Sequence, residues 1–207
     1  MRVFGYLLLK AFSAFWKALS LNPPLVSFAL GSELLEPPMI EICNAEEGHI
    51  SALAEIERAA AELFSELDLP PHLRNETVSE QEHLAAQRQG LLLVAIEDGF
   101  KPVGFAITTR VDSNLHLLEI DVHPQYQRKG IGSALLERIF ALAQDYGCEA
   151  VTLTTHKYVA WNASWYEKQG FCILGDDNMP TYLRSILDRE QEKGFDPQRR
   201  VAMRKAL

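Results

Sequence analysis

Cysteine is scarce in this chain. There are three, Cys43, Cys148 and Cys172, an odd number with no C-x-x-C spacing. That excludes a disulfide framework and a thiolate zinc site, and reads as the reduced thiols of a cytoplasmic protein. The six histidines are scattered. His116 and His123 flank one apolar segment, but strict alternation puts them on opposite faces of an extended chain, so no metal site is expected. Positive charge is also in short supply: 20 Lys and Arg against 28 Asp and Glu leave a net charge of −8. Non-specific nucleic-acid binding needs a cationic surface, so no nucleic-acid partner is expected. No apolar run reaches the ~20 residues of a membrane-spanning helix. A secretory leader fits poorly, since only Met1 and Arg2 form its basic region and no clear A-x-A site follows. Internal repeats and low-complexity tracts are missing. Two phosphate-binding strings are missing as well. No G-x-x-x-x-G-K-[ST] occurs, and the G-x-G-x-x-G fingerprint is broken because Leu135 stands at its third glycine.

What remains is an ordinary globular composition, 47% hydrophobic and 23% charged, in 207 residues. That length allows one sizeable domain with an appendage. The division falls near residue 38. In 1–38, Phe4, Leu8, Phe12, Phe15 and Leu19 recur at helical spacing opposite Lys10, Ser13, Lys17 and Ser20. This is an amphipathic helix pattern, followed by a linker bracketed by Pro23-Pro24 and Pro37-Pro38. It is expected to be an extension without a catalytic role. A weak membrane-surface contact through 1–38 is the competing reading. A second methionine at Met39 makes that position an alternative natural start.

From residue 39 onward the periodicities predict a strand at Met39-Ile40-Glu41-Ile42, a helix over 50–67 ended by Pro70-Pro71, and a second helix over 80–89. The second opens on the capping box Ser79-Glu80-Gln81-Glu82 and stops at Gly90. Strands over 91–96 and 101–110 are joined by the hairpin signal Asp98-Gly99. There follow a strand over 115–122, a helix over 130–146, a strand over 151–155, a short helix over 162–169, a strand over 171–174, a helix over 182–192 and a strand over 201–204. The fold class is α/β, a mixed and largely antiparallel sheet with flanking helices.

The most informative stretch is Val122-His123-Pro124-Gln125-Tyr126-Gln127-Arg128-Lys129-Gly130-Ile131-Gly132-Ser133-Ala134-Leu135-Leu136. It leaves an apolar strand, crosses a turn and opens a helix. A helix N-terminus offers unpaired N–H groups and a partial positive charge. Gly130 and Gly132 carry no Cβ, so a diphosphate can approach the backbone closely. Arg128 and Lys129 can add charge-assisted contacts. The alternative is a plain strand-to-helix turn with solvated cations.

The order Gln-x-x-Gly-x-Gly after a strand ending Val-His-Pro resembles the acyl-CoA-binding segment of the GNAT (Gcn5-related) N-acetyltransferase superfamily. Downstream, Trp161-Asn162-Ala163-Ser164-Trp165-Tyr166-Glu167-Lys168-Gln169-Gly170-Phe171 resembles that superfamily's N…[FW]-Y-x-x-x-G-F segment. The resemblance covers 39–207 and matches the order of elements; 1–38 lie outside it.

The resemblance implies an acetyl-CoA-dependent N-acetyltransferase moving an acetyl group to a primary amine, on a small molecule, by direct transfer in a ternary complex. A protein or peptide N-acetyltransferase and a non-catalytic acyl-CoA-binding module are the alternatives. It implies acetyl-CoA as co-substrate and an amine acceptor as partner, with a homodimer left open. The co-substrate would meet Gln127, Arg128, Lys129, Gly130, Ile131, Gly132 and Ser133 through its diphosphate. The pantetheine arm would lie along the backbone of Ile120, Asp121 and Val122, where the fourth and fifth strands splay. An N–H near Val122 would polarise the thioester carbonyl. Tyr166 takes the place of the family's general acid; a phenol is protonated at neutral pH and can donate to a leaving thiolate. A core tyrosine beside Trp165 is the other reading. Asn162 resembles a pantetheine-contacting asparagine, or else caps the short helix. The base is open among Glu119, a carboxylate in an apolar strand that is otherwise a paired structural group, His116, and water leading to bulk; Asp121 shares the face of Glu119 by period two. Glu57, Phe64, His156, Tyr158 and Trp161 are candidate liners of the acceptor site, an acidic and aromatic mix that suits a cationic amine, with core or solvated-face positions as the alternative.

Overall fold

The computed structural model describes residues 39–207. The amphipathic helix, the linker and the alternative start expected in or beside 1–38 concern residues outside that range, Met39 apart. The elements run β1 (Ile40–Asn44), α1 (Ile50–Ala61), α2 (Glu80–Arg88), β2 (Leu92–Glu97), β3 (Lys101–Val111), β4 (Asn114–Val122), α3 (Ile131–Asp145), β5 (Ala150–His156), α4 (Ala163–Lys168), β6 (Cys172–Ile173), α5 (Thr181–Glu192) and β7 (Arg200–Ala206). The strands form one sheet in the order β1-β2-β3-β4-β5-β7-β6. Every neighbouring pair is antiparallel except β4 and β5. Parallel neighbours need a crossover, and α3 supplies it. None of the described helices is long and apolar enough to cross a membrane.

Local signals account for most of these boundaries. Ser79 accepts from the Glu82 N–H, and the Glu82 carboxylate accepts from the Ser79 N–H, so both donors at the start of α2 are satisfied. Asp98 and Gly99 both adopt left-handed conformations, as a tight β2–β3 hairpin demands. The helix predicted over 50–67 ends earlier, at Ala61. The Arg74 guanidinium donates to the carbonyls of Ala61 and Phe64, each at 3.1 Å, and thereby caps the last turn. Leu63 and Leu67, which continue the apolar spacing, are consequently 39% and 74% exposed.

The decisive irregularity is in β4. Its pairing with β3 runs Ile107↔Glu119, then Thr108↔Leu117, leaving Leu118 unpaired as a β-bulge. Directly paired residues share a face, and Ile107 and Thr108 point to opposite faces, so Glu119 faces away from Leu117. Without the bulge, period-two alternation would set Glu119 with the buried Leu115 and Leu117. With it, Glu119 and Asp121 turn to the face of Phe105, against which His83 of α2 packs edge-on, and of α1, which lies on β3 and β4. Leu118 itself is pushed out to 51% exposure.

The pairing of β4 with β5 stops at the same place. It runs Asn114↔Ala150 through Leu117↔Leu153 and no further, although β5 continues to His156. Beyond Leu117 and Leu153 the two strands part, and a cleft opens between them.

Candidate active site

The cleft has a volume of about 630 Å³, the size of a small-ligand site. One wall is β4 from Leu117 to Val122, and the other is β5 from Leu153 to His156 with Asn162, Trp165 and Tyr166 at α4. α1 and the segment after it close one end with Glu57 and Phe64, and the start of α3 closes the other.

At the α3 end the chain turns sharply. Arg128 and Gly130 both have left-handed backbones, with φ of 61° and 84°. The conformation is easy for glycine and strained for arginine, and such strain persists where surrounding structure fixes it. Tyr126 supplies that fixation: its buried hydroxyl donates to the Glu97 carboxylate and accepts from Lys101 Nζ at 3.0 Å. Gly130 caps α3 without any side-chain hydrogen bond. Ile131, Gly132 and Ser133, whose N–H groups open the helix, line the cleft with Gln127, Arg128 and Gly130. Such a turn can accept an anion on its first-turn amides and the Arg128 charge. Lys129 turns aside instead, its Nζ 4.7 Å from the centre of the Tyr126 ring. Gln127 is committed to the backbone, its Nε2 donating to the Val122 carbonyl at 3.2 Å, and so ties the turn to the end of β4.

Where α1 lies against β4, Glu57, Glu119 and Asp121 converge on the cleft. Burial raises Glu119 to about 7; the charges of Glu57 and Glu190 add to the rise and Arg200 opposes it. Burial also raises Glu57 to about 7, against the backbone N–H of Val78, which donates to both its carboxylate oxygens at 3.2 and 3.0 Å. Asp121 is pushed well above the usual carboxylate range by burial, then by Glu119 and Glu57. Glu57 and Glu119 are thereby raised toward neutrality, which is where a proton-transfer group is most useful, and Asp121 is raised in the same direction. Among the described residues no group of three His, Cys, Asp or Glu side chains is arranged as a metal site.

Tyr166 is 7% exposed and lies between Trp165 and Phe171, at ring separations of 4.8 and 5.5 Å. Its hydroxyl has no hydrogen-bond partner among the described residues, and the residue lines the cleft. Burial first, then the charges of Glu119 and Asp121, raise its pKa, so the phenol is fully protonated at neutral pH. Asn162 does not cap α4 with its side chain; Nδ2 donates to Thr155 Oγ1 at 2.9 Å and bridges α4 to the splayed end of β5.

The structure separates His116 from this group. It is 2% exposed, its Nδ1 lies 3.1 Å from Thr152 Oγ1, and Tyr182 of α5 packs on it edge-on. Burial depresses its pKa to about 4, and it does not line the cleft. Of the expected acceptor liners, Glu57, Phe64, His156 and Trp161 are in the cleft wall. Tyr158 is not: it is 61% exposed, with Lys157 and Arg199 over its ring. Sequence reasoning missed Glu190, Phe195 and Arg200, which close the cleft beyond β5. Arg200 pairs with Glu190 through two contacts of 2.8 Å. Their approach depends on the antiparallel β5–β7 pairing, which no local signal announces.

Residues 52–171 match the Acetyltransferase (GNAT) family, and the chain belongs to that family. The ribosomal protein bS18-alanine N-acetyltransferase of Escherichia coli K12 is 32% identical over 93 residues, 45% of this chain and 63% of that protein. The chain thus matches somewhat less than two thirds of the length of that curated relative. Among solved structures, the PaiA N-acetyltransferase of Thermoplasma acidophilum in complex with coenzyme A superposes with a TM-score of 0.61 at 21% identity, covering 82% of this chain and 99% of that one. The N-acetylglutamate synthase of Neisseria gonorrhoeae, complexed with coenzyme A and N-acetyl-glutamate, gives 0.62 at 19% identity, over 82% and 35% of the two chains. At these identities the superpositions establish the shared fold.

Proposed function

We propose that this family member is an acetyl-CoA-dependent N-acetyltransferase that moves the acetyl group to a primary amine on a small molecule, by direct transfer in a ternary complex. The observation that carries the reading is the single cleft. It runs from an anion cradle at α3, along the unpaired edge of β4, to a carboxyl with pKa near 7 and a free phenol. Acetyl-CoA would be held by its diphosphate at Arg128 and the first-turn amides of α3, with its arm along Ile120, Asp121 and Val122. β4 has no partner there on its β5 side, so backbone groups on that edge are free to hydrogen-bond the arm.

In this reading the acceptor ammonium gives one proton to Glu119. The free amine attacks the thioester carbonyl carbon and the C–S bond breaks. The departing thiolate takes the Tyr166 phenol proton, and the second amine proton restores the phenol. The net products are one amide, one thiol and one proton released to solvent. Protonation of Glu119 also removes one of the two charges that hold the proton on Tyr166, so taking the first proton eases the donation that follows.

A second reading, a protein or peptide amine as acceptor, draws support from the identity to the E. coli enzyme named for ribosomal protein bS18. The test is acetyl-CoA consumption by the full-length chain over a panel of simple amines, amino acids, polyamines, aminoglycosides and N-terminal peptides. Turnover with small amines is expected. Turnover confined to peptides would move the acceptor to the second reading. CoA binding without turnover across the panel would leave only a binding module.

A further inference from the structure

The part of the cleft beyond Glu119 is chemically lopsided. Its inner edge carries the carboxyls Glu57 and Glu119. Its wall is aromatic: Phe64 lies 4.9 Å from His156 and 5.9 Å from Trp161, and Phe195 lies 5.8 Å from His156. Lys193 also lines the cleft, with Arg200, whose charge is paired by Glu190.

His156 is the informative member. It is 7% exposed, and its Nδ1 is buried without a hydrogen-bond partner among the described residues. A buried polar group left unpaired is costly and calls for an explanation. Burial, then the neighbouring Arg200, depress its pKa to about 3, so the ring is neutral at any working pH. A neutral imidazole among aromatic rings is an apolar surface with a polar edge, and it does not repel an incoming cation.

We infer that this end of the cleft is an acceptor subsite for a single primary ammonium carried on a small apolar body. The inference rests on the acetyl-transfer reading above and deepens it. The ammonium lies between Glu57 and Glu119, where charge complementarity and cation–π attraction from Phe64 and Trp161 both favour it. The apolar body lies against Phe64, His156 and Trp161. A polyamine fits poorly, because a second ammonium would meet the Lys193 charge in the same wall. A peptide fits poorly as well, because an aromatic wall offers its amide groups few hydrogen-bond partners, and unpaired amides cost affinity.

The test uses the full-length chain saturated with CoA. 2-Phenylethylamine, spermidine and an alanine-leading tetrapeptide are titrated calorimetrically, and each is assayed separately with acetyl-CoA. 2-Phenylethylamine should bind at least tenfold more tightly than either competitor and show the highest kcat/KM. Phe64→Ala should weaken its binding at least tenfold without changing CoA affinity. Trp161→Ala, at a half-exposed position that folding tolerates, should weaken it several-fold, and Glu57→Gln at least tenfold. If spermidine or the tetrapeptide bound best, or if Phe64→Ala and Trp161→Ala left amine affinity unchanged, the subsite is wrong even where turnover persists. Binding that follows this pattern without any acetyl transfer keeps the subsite and removes the acetyl-transfer reading. Absence of both binding and turnover overturns both.

Discussion

Glu119→Gln should push activity and stability in opposite directions. The parent carboxyl holds its proton up to about pH 7 in the folded protein and releases it near 4.5 when unfolded. Between those values the native state binds more protons, so stability falls as pH rises, and the cost is complete above pH 7. Each pH unit of that gap is worth about 1.4 kcal/mol, which bounds the cost near 3 kcal/mol; water in the cleft screens it to roughly 1–2 kcal/mol. Glutamine cannot ionise and removes the cost. For a domain of this size the variant should melt roughly 2–8 °C above the parent at pH 8.5, and close to it at pH 5. Activity should behave in the reverse sense. The parent's kcat/KM should fall below pH 7 as the base protonates, and Glu119→Gln should lose that limb along with about 10²-fold or more of the rate. The assay is kcat/KM from pH 5.5 to 9, with an acceptor whose own pKa lies well above that range. Glu57→Gln supplies a second arm. It deletes the charge that raises Glu119 most, so the limb should move to lower pH. A Glu119→Gln protein that melted lower at pH 8.5 while keeping a limb near 7 would refute the reasoning, and would make Glu119 a paired structural carboxylate.

Two further outcomes are expected from other parts of the cleft. Tyr166→Phe should lower the single-turnover rate by about 10²-fold or more and leave CoA affinity unchanged, since it deletes only a hydroxyl without a hydrogen-bond partner among the described residues; a rate within twofold of the parent would make the tyrosine structural. CoA at about 100 times its Kd should add about 2.7 kcal/mol and raise the parent's melting temperature by roughly 5–10 °C. Gly130→Asp should abolish that rise, whereas Gly130→Asn should keep most of it. An added Cβ at Gly130 meets nothing within 4 Å, and both replacements tolerate its left-handed backbone, so only the new charge distinguishes them. Equal CoA shifts in the two variants would remove the diphosphate from this turn.

The features legible in the sequence are those written by neighbours in the chain. The capping box at Ser79, the Asp98-Gly99 hairpin and the glycines at 130 and 132 each act within a few residues, and each falls where its local chemistry predicts. The order of strands and helices follows from periodicity in the same way. One expectation drawn from local pattern alone does not hold. Apolar spacing carried α1 on to Leu67, because nothing nearby reveals that Arg74 will cap it at Ala61.

The bulge at Leu118 is the deeper case. Alternation along Leu115-His116-Leu117-Leu118-Glu119 sets Glu119 with Leu117, where a carboxylate would be buried among apolar side chains. One unpaired leucine reverses that, and the pairing with β5 ends beside it. The same residue therefore turns Glu119 toward Glu57 and stands where the cleft begins. The elevated pKa that makes Glu119 a candidate base is in turn a product of this geometry, because a carboxylate facing open solvent would titrate near 4.5. The sequence supplies an ordinary glutamate. The parting of two strands opens the cleft beside it, burial raises its titration, and the second carboxyl that α1 brings raises it further, toward neutrality.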